Sequence, residues 1–141
     1  MDIRRITPDY AVSPQIAPDD MPAIVAAGFK AILCNRPDAE VPHELSAAVM
    51  RIAAEAAGLG FIDNPVTHQG LNMDMVTLQA QTIAQADGPV LAYCASGTRS
   101  SIVWSLGQAG KMPVDAIISA TARAGYELSN LRPRLEALAQ D

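Results

Sequence analysis

The chain has 141 residues, half of them hydrophobic and 18% charged, with ten Lys and Arg against fifteen Asp and Glu. This composition excludes a mainly disordered chain, and the length suits one domain, 1–141, able to bury roughly two-thirds of its unfolded surface. A formal charge of -5 and a pI near 4.8 exclude a broad nucleic-acid or anionic-membrane surface, which needs clustered Lys and Arg, so any anion site must be local.

The opening "MDIRRITPDY" has no apolar run behind its arginines, and no stretch approaches the roughly 18 apolar residues of a membrane span, so the expectation is a soluble, cytoplasmic protein with no membrane partner. "ITPDYAVSPQI" predicts one or two short strands around prolines. In "APDDMPAIVAAGF", Pro18 and two acids precede Met21, Ile24 and Val25, and Gly28 closes the segment, the order of a helix with an acidic start and a glycine stop. "FKAILCN", bounded by Gly28 and by Arg36 and Pro37, fits a short strand buried on both faces.

From Glu44 to Ala57, Leu45, Val49, Ile52 and Ala56 fall on one helical face, with Gly58 and Gly60 before the next short run, "FIDNPV". "NMDMVTLQAQTIAQADG" supplies a third helix through Val76, Ala80 and Ile83, and "PVLAYC" a strand ending at Cys94. Three helix-to-strand alternations imply an α/β fold with a mainly parallel sheet of about 4–5 strands flanked by helices. After Cys94, "SSIVWSLGQAGK", "PVDAIISATARAG" and "LSNLRPRLEALAQ" all carry helical periodicity, so the C-terminal third is expected to be all helical.

The chemistry concentrates in "YCASGTRSS". In parallel sheets ligands sit beyond the carboxyl ends of strands, where this segment places Cys94 ahead of a helix beginning near Arg99. Gly97 lets the loop turn tightly, so that the backbone of Ala95, Ser96, Gly97 and Thr98 can turn N–H groups inward as an anion cradle, reinforced by the helix N-terminus. That field favours thiolate over thiol. Arg99 offers a planar fork for a tetrahedral oxyanion, and Ser100 can donate to the sulfur or cap the helix. The bland alternative is a buried strand-end cysteine beside a turn glycine and a surface arginine; four such residues at one strand-to-helix junction match an activated nucleophile better. Two cysteines cannot build a disulfide framework, and with His43 and His68 they show no metal-ligand spacing, so neither metal nor cofactor is expected.

"CASGTRS" resembles the active-site loop of single-domain rhodaneses, Cys-x-x-Gly-x-Arg-Ser/Thr. It also resembles the phosphate loop of cysteine-dependent protein phosphatases, which is one residue longer between its cysteine and arginine; Cys94 and Arg99 enclose four. Over "SPQIAPDDMPAIVAAGFKAILCNRPDAE", "AAGLGFIDNPV" and "GPVLAYCASGTRSSIVW" the chain resembles the phosphatase-like domain of beta-lactamase hydrolase-like proteins, also called a sulfurtransferase family. The resemblance implies a dual-specificity-phosphatase fold, Cys94 as nucleophile, Arg99 as anion clamp and residues 96–98 as cradle. Ala95 departs from the arginine common there in relatives. Some relatives are fused to a metal-dependent persulfide dioxygenase, which suggests such an enzyme as a pathway partner.

A phosphatase must protonate its leaving group, and "PVTHQGLNMDM" offers no acid before Asp74, which fits the first turn of the third helix; His68 is the nearest substitute, though a plain loop histidine is the simpler reading. Sulfur transfer from thiosulfate or a persulfide through a Cys94 persulfide to an acceptor thiol needs no strong acid. The sequence therefore favours a sulfurtransferase, with a phosphatase acting through Cys94 phosphocysteine as the alternative, and a non-catalytic module binding a phosphate or sulfate anion, or a partner domain, as the second alternative. In "CNRPDAE", Arg36 can widen the anion site and Asp38 or Glu40 can serve as proton donor, against the simpler reading of a mutual ion pair shaping the loop. Cys34, ending the neighbouring strand, is either a resolving thiol, as the fold's relatives suggest, or a small buried hydrophobe.

Overall fold

The computed structural model describes residues 1–140. Its strands are β1 (Arg4–Thr7), β2 (Tyr10–Ser13), β3 (Ala31–Cys34), β4 (Gly60–Asp63) and β5 (Val90–Tyr93), ordered β1-β2-β5-β3-β4. Only the β1–β2 pair is antiparallel; β2, β5, β3 and β4 run parallel, with Ser13, Tyr93, Cys34 and Asp63 in line at one end. "VLAY" takes the central position because all four residues are buried, leaving both faces free to be covered. This is the expected α/β architecture, and the opening segment supplies two strands.

Side chains alternate across the sheet. Ala11, Ile32, Leu91 and Tyr93 face α1 (Met21–Ala26) and α2 (Ala47–Ala56), where Met21, Ile24, Met50 and Ala54 complete one core. Val12, Leu33, Val90 and Ala92 face the other core, built with α3 (Met73–Gln85), α4 (Thr98–Gln108), α5 (Val114–Arg123) and α6 (Arg132–Ala139) through Val76, Val103, Trp104, Ile117 and Leu135. Among the described residues the chain after β5 is helical as expected, and no helix is long and apolar enough to cross a membrane.

The second helix corrects the sequence reading. It starts at Ala47, not Glu44: residues 43–45 form a separate 3₁₀ turn after Pro42, and the Ser46 hydroxyl accepts from Val49 N–H as the N-cap. Its buried residues are Ala47, Met50 and Ala54, while Ile52 is 70% exposed. Small side chains on either side of Met50 suit a seam where the helix lies close against the sheet, so the larger aliphatic set misidentified the inward face.

Candidate active site

Beyond Tyr93 the chain stays tied to both neighbouring strands. Cys94 N–H donates to Ser13 O at 3.4 Å, Asn35 N–H to Tyr93 O at 2.8 Å, and Gln15 N–H to Ala95 O at 3.4 Å. Gly97 then turns the chain with φ +95°, a left-handed conformation that L side chains avoid, and is the N-cap of α4. Its N–H donates to Cys94 Sγ at 3.1 Å. Ser96 Oγ lies 3.0 Å from Thr98 Oγ1 and accepts from Thr98 N–H at 3.4 Å. Gly97 O takes the N–H and hydroxyl of Ser101 at 3.0 and 2.8 Å. The N–H groups of Arg99 and Ser100 precede that first helical bond and lie in the turn whose donors an α-helix leaves unpaired. Cys94 is 1% exposed, while Ala95 and Ser96 are exposed at the mouth. Ser100 is a correction: Gly97, not Ser100, caps α4, and the buried Ser100 hydroxyl has no hydrogen-bond partner among the described residues, the sulfur included.

Arg99 is 6% exposed and heavily restrained. Nη1 donates to Glu40 Oε2 at 2.7 Å and Val66 O at 2.8 Å, and Nη2 to Glu40 Oε1 at 2.7 Å. A guanidinium carries five N–H bonds, so this end-on pair leaves the Nε–H and one Nη2–H for another anion. Glu40 above all, and the Cys94 sulfur to a smaller extent, hold the Arg99 pKa above its ordinary value against the opposing effect of burial. Arg99 in turn, helped by Arg36, holds the Glu40 carboxyl below the usual carboxylate range. Arg36 is occupied too: Nε meets Glu40 Oε1 at 3.3 Å, Nη2 meets Glu40 O at 3.3 Å, and Nη1 meets Gln15 Oε1 at 3.2 Å. A ring of contacts thus runs from Ala95 through Gln15, Arg36 and Glu40 to Arg99.

The simpler reading of "CNRPDAE" holds in part: Arg36 and Glu40 form the ion pair at 3.3 Å, and Glu40 extends it to Arg99. Arg36 stands behind Glu40 instead of facing the loop. Asp38 is the correction: it does not pair with Arg36, and its Oδ1 accepts from Ala47 N–H at 2.8 Å, at the start of α2. His68 is exposed, on the segment between β4 and α3, and with Val66, Thr67, Leu71, Arg99 and Ile102 lines a pocket of about 80 Å³. Asp74 lies in the first turn of α3 as expected. Cys34 and Cys94 are both free thiols. Cys34 Sγ donates to Arg36 O at 3.4 Å, and burial pushes its thiol up to about 11. Among the described residues no three His, Cys, Asp or Glu side chains gather as a metal site.

Sequence reasoning missed the polar support beneath the loop. Asn35 Nδ2 donates to Asn64 O and Gln79 Oε1, both at 2.9 Å; Gln79 Nε2 returns a bond to Asn35 Oδ1 at 3.0 Å and one to Tyr10 Oη at 2.9 Å; and Tyr10 Oη donates to Ser100 O at 2.8 Å. Asn64 joins through Gln79 Oε1 and Met75 O. All four side chains are buried, so each polar atom must find a protein partner, and together they lock the ends of β3 and β4 to the first turn of α4. Gln79, set three residues after Val76 and four before Ile83 on the apolar face of its helix, was the available signal.

A family model described as "Beta-lactamase hydrolase-like protein, phosphatase-like domain" matches residues 2–111. A beta-lactamase hydrolase-like protein of Agrobacterium fabrum is 37% identical over 70% of this chain and 22% of its own length; the curated relatives matched are spanned for less than a third of their length, 32% at most. A crystal structure from Neisseria meningitidis, named as a candidate phosphatase, superposes with TM-score 0.85 at 39% identity, covering 98% of this chain and 99% of that one. Pseudomonas aeruginosa TpbA, solved as a Cys-to-Ser variant with phosphotyrosine, shares the fold alone, with TM-score 0.68 and 13% identity over 99% of this chain and 88% of that one. With the family model covering most of its length, the chain belongs to the phosphatase-like domain family of beta-lactamase hydrolase-like proteins.

Proposed function

We propose that this domain is a cysteine-dependent phosphatase. Cys94 attacks the phosphorus of a bound phosphate monoester, the bond from phosphorus to the leaving oxygen breaks, and water then cleaves the phosphocysteine, releasing phosphate and restoring the thiol. The carrying observation is one loop in which Gly97 N–H meets Cys94 Sγ at 3.1 Å beside an Arg99 guanidinium fixed by Glu40. In this reading the Nε and Nη2 edge of Arg99 and the amides at the start of α4 hold the equatorial oxygens. The candidate-phosphatase name of the Neisseria relative and the phosphotyrosine of TpbA support a phosphate ligand, and on that support the phosphatase is put ahead of sulfur transfer.

Glu40 is engaged by two arginines and Asp38 by the start of α2. With neither free to donate a proton, a leaving group stable as an anion suits the site, so aryl phosphates are favoured over alkyl phosphates, and His68, in the pocket beside Arg99, is a candidate for protonating a poorer one.

The same shortage of acid favours sulfur transfer as a second reading. There, Cys94 thiolate attacks the outer sulfur of thiosulfate, the sulfur–sulfur bond breaks, sulfite departs, and an acceptor thiolate then takes the outer sulfur from the Cys94 persulfide. Wild type and Cys94→Ser, each assayed with p-nitrophenyl phosphate and with thiosulfate plus cyanide, decide the matter. Nitrophenol release lost in the variant supports the phosphatase; thiocyanate without nitrophenol replaces it with sulfur transfer; neither product leaves a binding module.

A further inference from the structure

Tyr126 lies beyond the residues 2–111 matched by the family model, yet its side chain reaches the Cys94 loop. The path begins where α5 stops. Gly125 adopts φ +101°, its N–H bonds Ala122 O at 3.0 Å, and Tyr126 N–H bonds Thr121 O at 2.8 Å, the paired bonds of a Schellman stop. Arg4, from the edge strand, holds the tyrosine from outside: its guanidinium stands 5.6 Å over the Tyr126 ring while Nη1 donates to Ala124 O at 3.1 Å. A Cβ on Gly125 would collide with that Nη1. So placed, Tyr126 is 8% exposed, and its hydroxyl donates to Ser96 O at 2.9 Å.

That carbonyl belongs to the same peptide group whose N–H, on Gly97, donates to Cys94 Sγ at 3.1 Å. In a planar trans peptide the C=O and N–H point in opposite directions, so a donor on the oxygen side fixes the plane that aims the N–H at the sulfur. It also polarises that N–H, because hydrogen bonds in series strengthen one another. Gly97 permits the approach: a Cβ there would collide with the tyrosine hydroxyl. Burial raises the Tyr126 pKa, so the hydroxyl keeps its proton and remains a donor.

We infer that Tyr126 is a positioning residue for the Cys94 nucleophile, acting through the Ser96–Gly97 peptide. The inference rests on the reading of Cys94 as a nucleophile but not on whether phosphorus or sulfur is attacked. Tyr10 provides the internal contrast. Its hydroxyl also donates to a loop carbonyl, Ser100 O at 2.8 Å, but the N–H of that peptide, on Ser101, goes to Gly97 O at 3.0 Å and not to the sulfur.

The test is alkylation of Cys94 by iodoacetamide across pH, followed by peptide mass spectrometry, in wild type, Tyr126→Phe and Tyr10→Phe. The charged groups around the sulfur, Arg99 with Glu40 and Arg36 behind it, are common to all three proteins; each variant removes one of the two tyrosine hydroxyls. Tyr126→Phe is expected to move the profile to higher pH, slowing alkylation about threefold at the acid end and leaving the alkaline plateau unchanged. Tyr10→Phe is expected to lower the thermal midpoint and leave the profile in place. Superimposed profiles for Tyr126→Phe and wild type overturn the inference, as does an equal shift in Tyr10→Phe, which would indicate general loosening of the loop. The inference stands or falls on the difference between variants, whereas the proposed function depends on the wild-type profile itself: a wild-type Cys94 no more reactive than a cysteine in an unfolded peptide sinks that reading whatever Tyr126→Phe does.

Discussion

Cys34 and Cys94 terminate adjacent parallel strands, Cys34 level with Tyr93 in the β3–β5 register and Cys94 one residue further along. Both are buried and both are free thiols. They differ in the direction of their hydrogen bonds. Cys34 Sγ donates to a carbonyl, Arg36 O, a bond that only the protonated thiol can make, and burial outweighs the opposing pull of the Tyr93 hydroxyl and the Arg36 backbone; Cys94 Sγ accepts from Gly97 N–H, a bond that strengthens when the sulfur is anionic. The difference originates in the backbone just past each strand. After Cys34 the chain leaves through Asn35, Arg36 and Pro37 toward a 3₁₀ turn, whereas after Cys94 it winds through a left-handed Gly97 into the N-terminus of α4. An address at the carboxyl edge of a sheet therefore does not by itself set a sulfur's surroundings; the turn beyond it decides whether the sulfur donates or accepts a hydrogen bond.

The largest effect expected from breaking this contrast is at the sulfurs. Cys94→Ser should lose at least about a thousandfold in whichever of the two assays registers turnover, while Cys34→Ala stays within about twofold and costs on the order of 1 kcal/mol of stability by denaturant titration. Comparable losses in both variants would erase the distinction. Next is Arg99→Lys, which keeps the charge and removes the fork; turnover should fall about a hundredfold, and a near-normal rate would mean that charge alone suffices.

Glu40→Gln sharpens the comparison further, because Cys34 has no equivalent cation to position. Turnover should fall about tenfold, the scale of one charged hydrogen bond. The Glu40 pKa is lowered by Arg99 first and Arg36 second, so its contribution to stability is fully present above the ordinary carboxylate value of roughly 4.3 and fades as pH drops through the depressed folded value. Thermal midpoints taken from pH 7 to pH 3 should show the wild type losing its advantage over Glu40→Gln only at the acid end; a constant gap across that range contradicts the ion pair. The smallest effect belongs to His68→Asn, under about threefold on an aryl phosphate, since loss of a true general acid would cost at least about a hundredfold.

Much of this arrangement was legible in the residues. Apolar runs of strand length between helical periods located β3, β4 and β5, and "CASGTRS" located the strand-to-helix loop with its left-handed glycine and brought out Cys94 and Arg99 as the proposed nucleophile and clamp, because those features are local in the chain. The partners were not legible. Glu40 lies 59 positions from Arg99, Tyr126 lies 30 from Ser96 and Gln79 lies 69 from Tyr10, and contacts at such separations depend on strand order. Local signals carried only part of the way: Arg36 and Glu40 pair as their spacing suggests, yet Asp38 accepts from Ala47 at the start of α2 and Glu40 also reaches Arg99. The inward face of α2 failed for a related reason, since close approach to a sheet selects small residues over the most hydrophobic ones.

The most direct measurement is site-resolved alkylation of the native wild-type protein with limiting iodoacetamide at pH 6.5. The opposed hydrogen bonds of the two thiols predict label on Cys94 well before Cys34, whose buried thiol is held protonated up to about 11. Equal labelling of the two, or Cys34 reacting first, would contradict the assignment of the nucleophile.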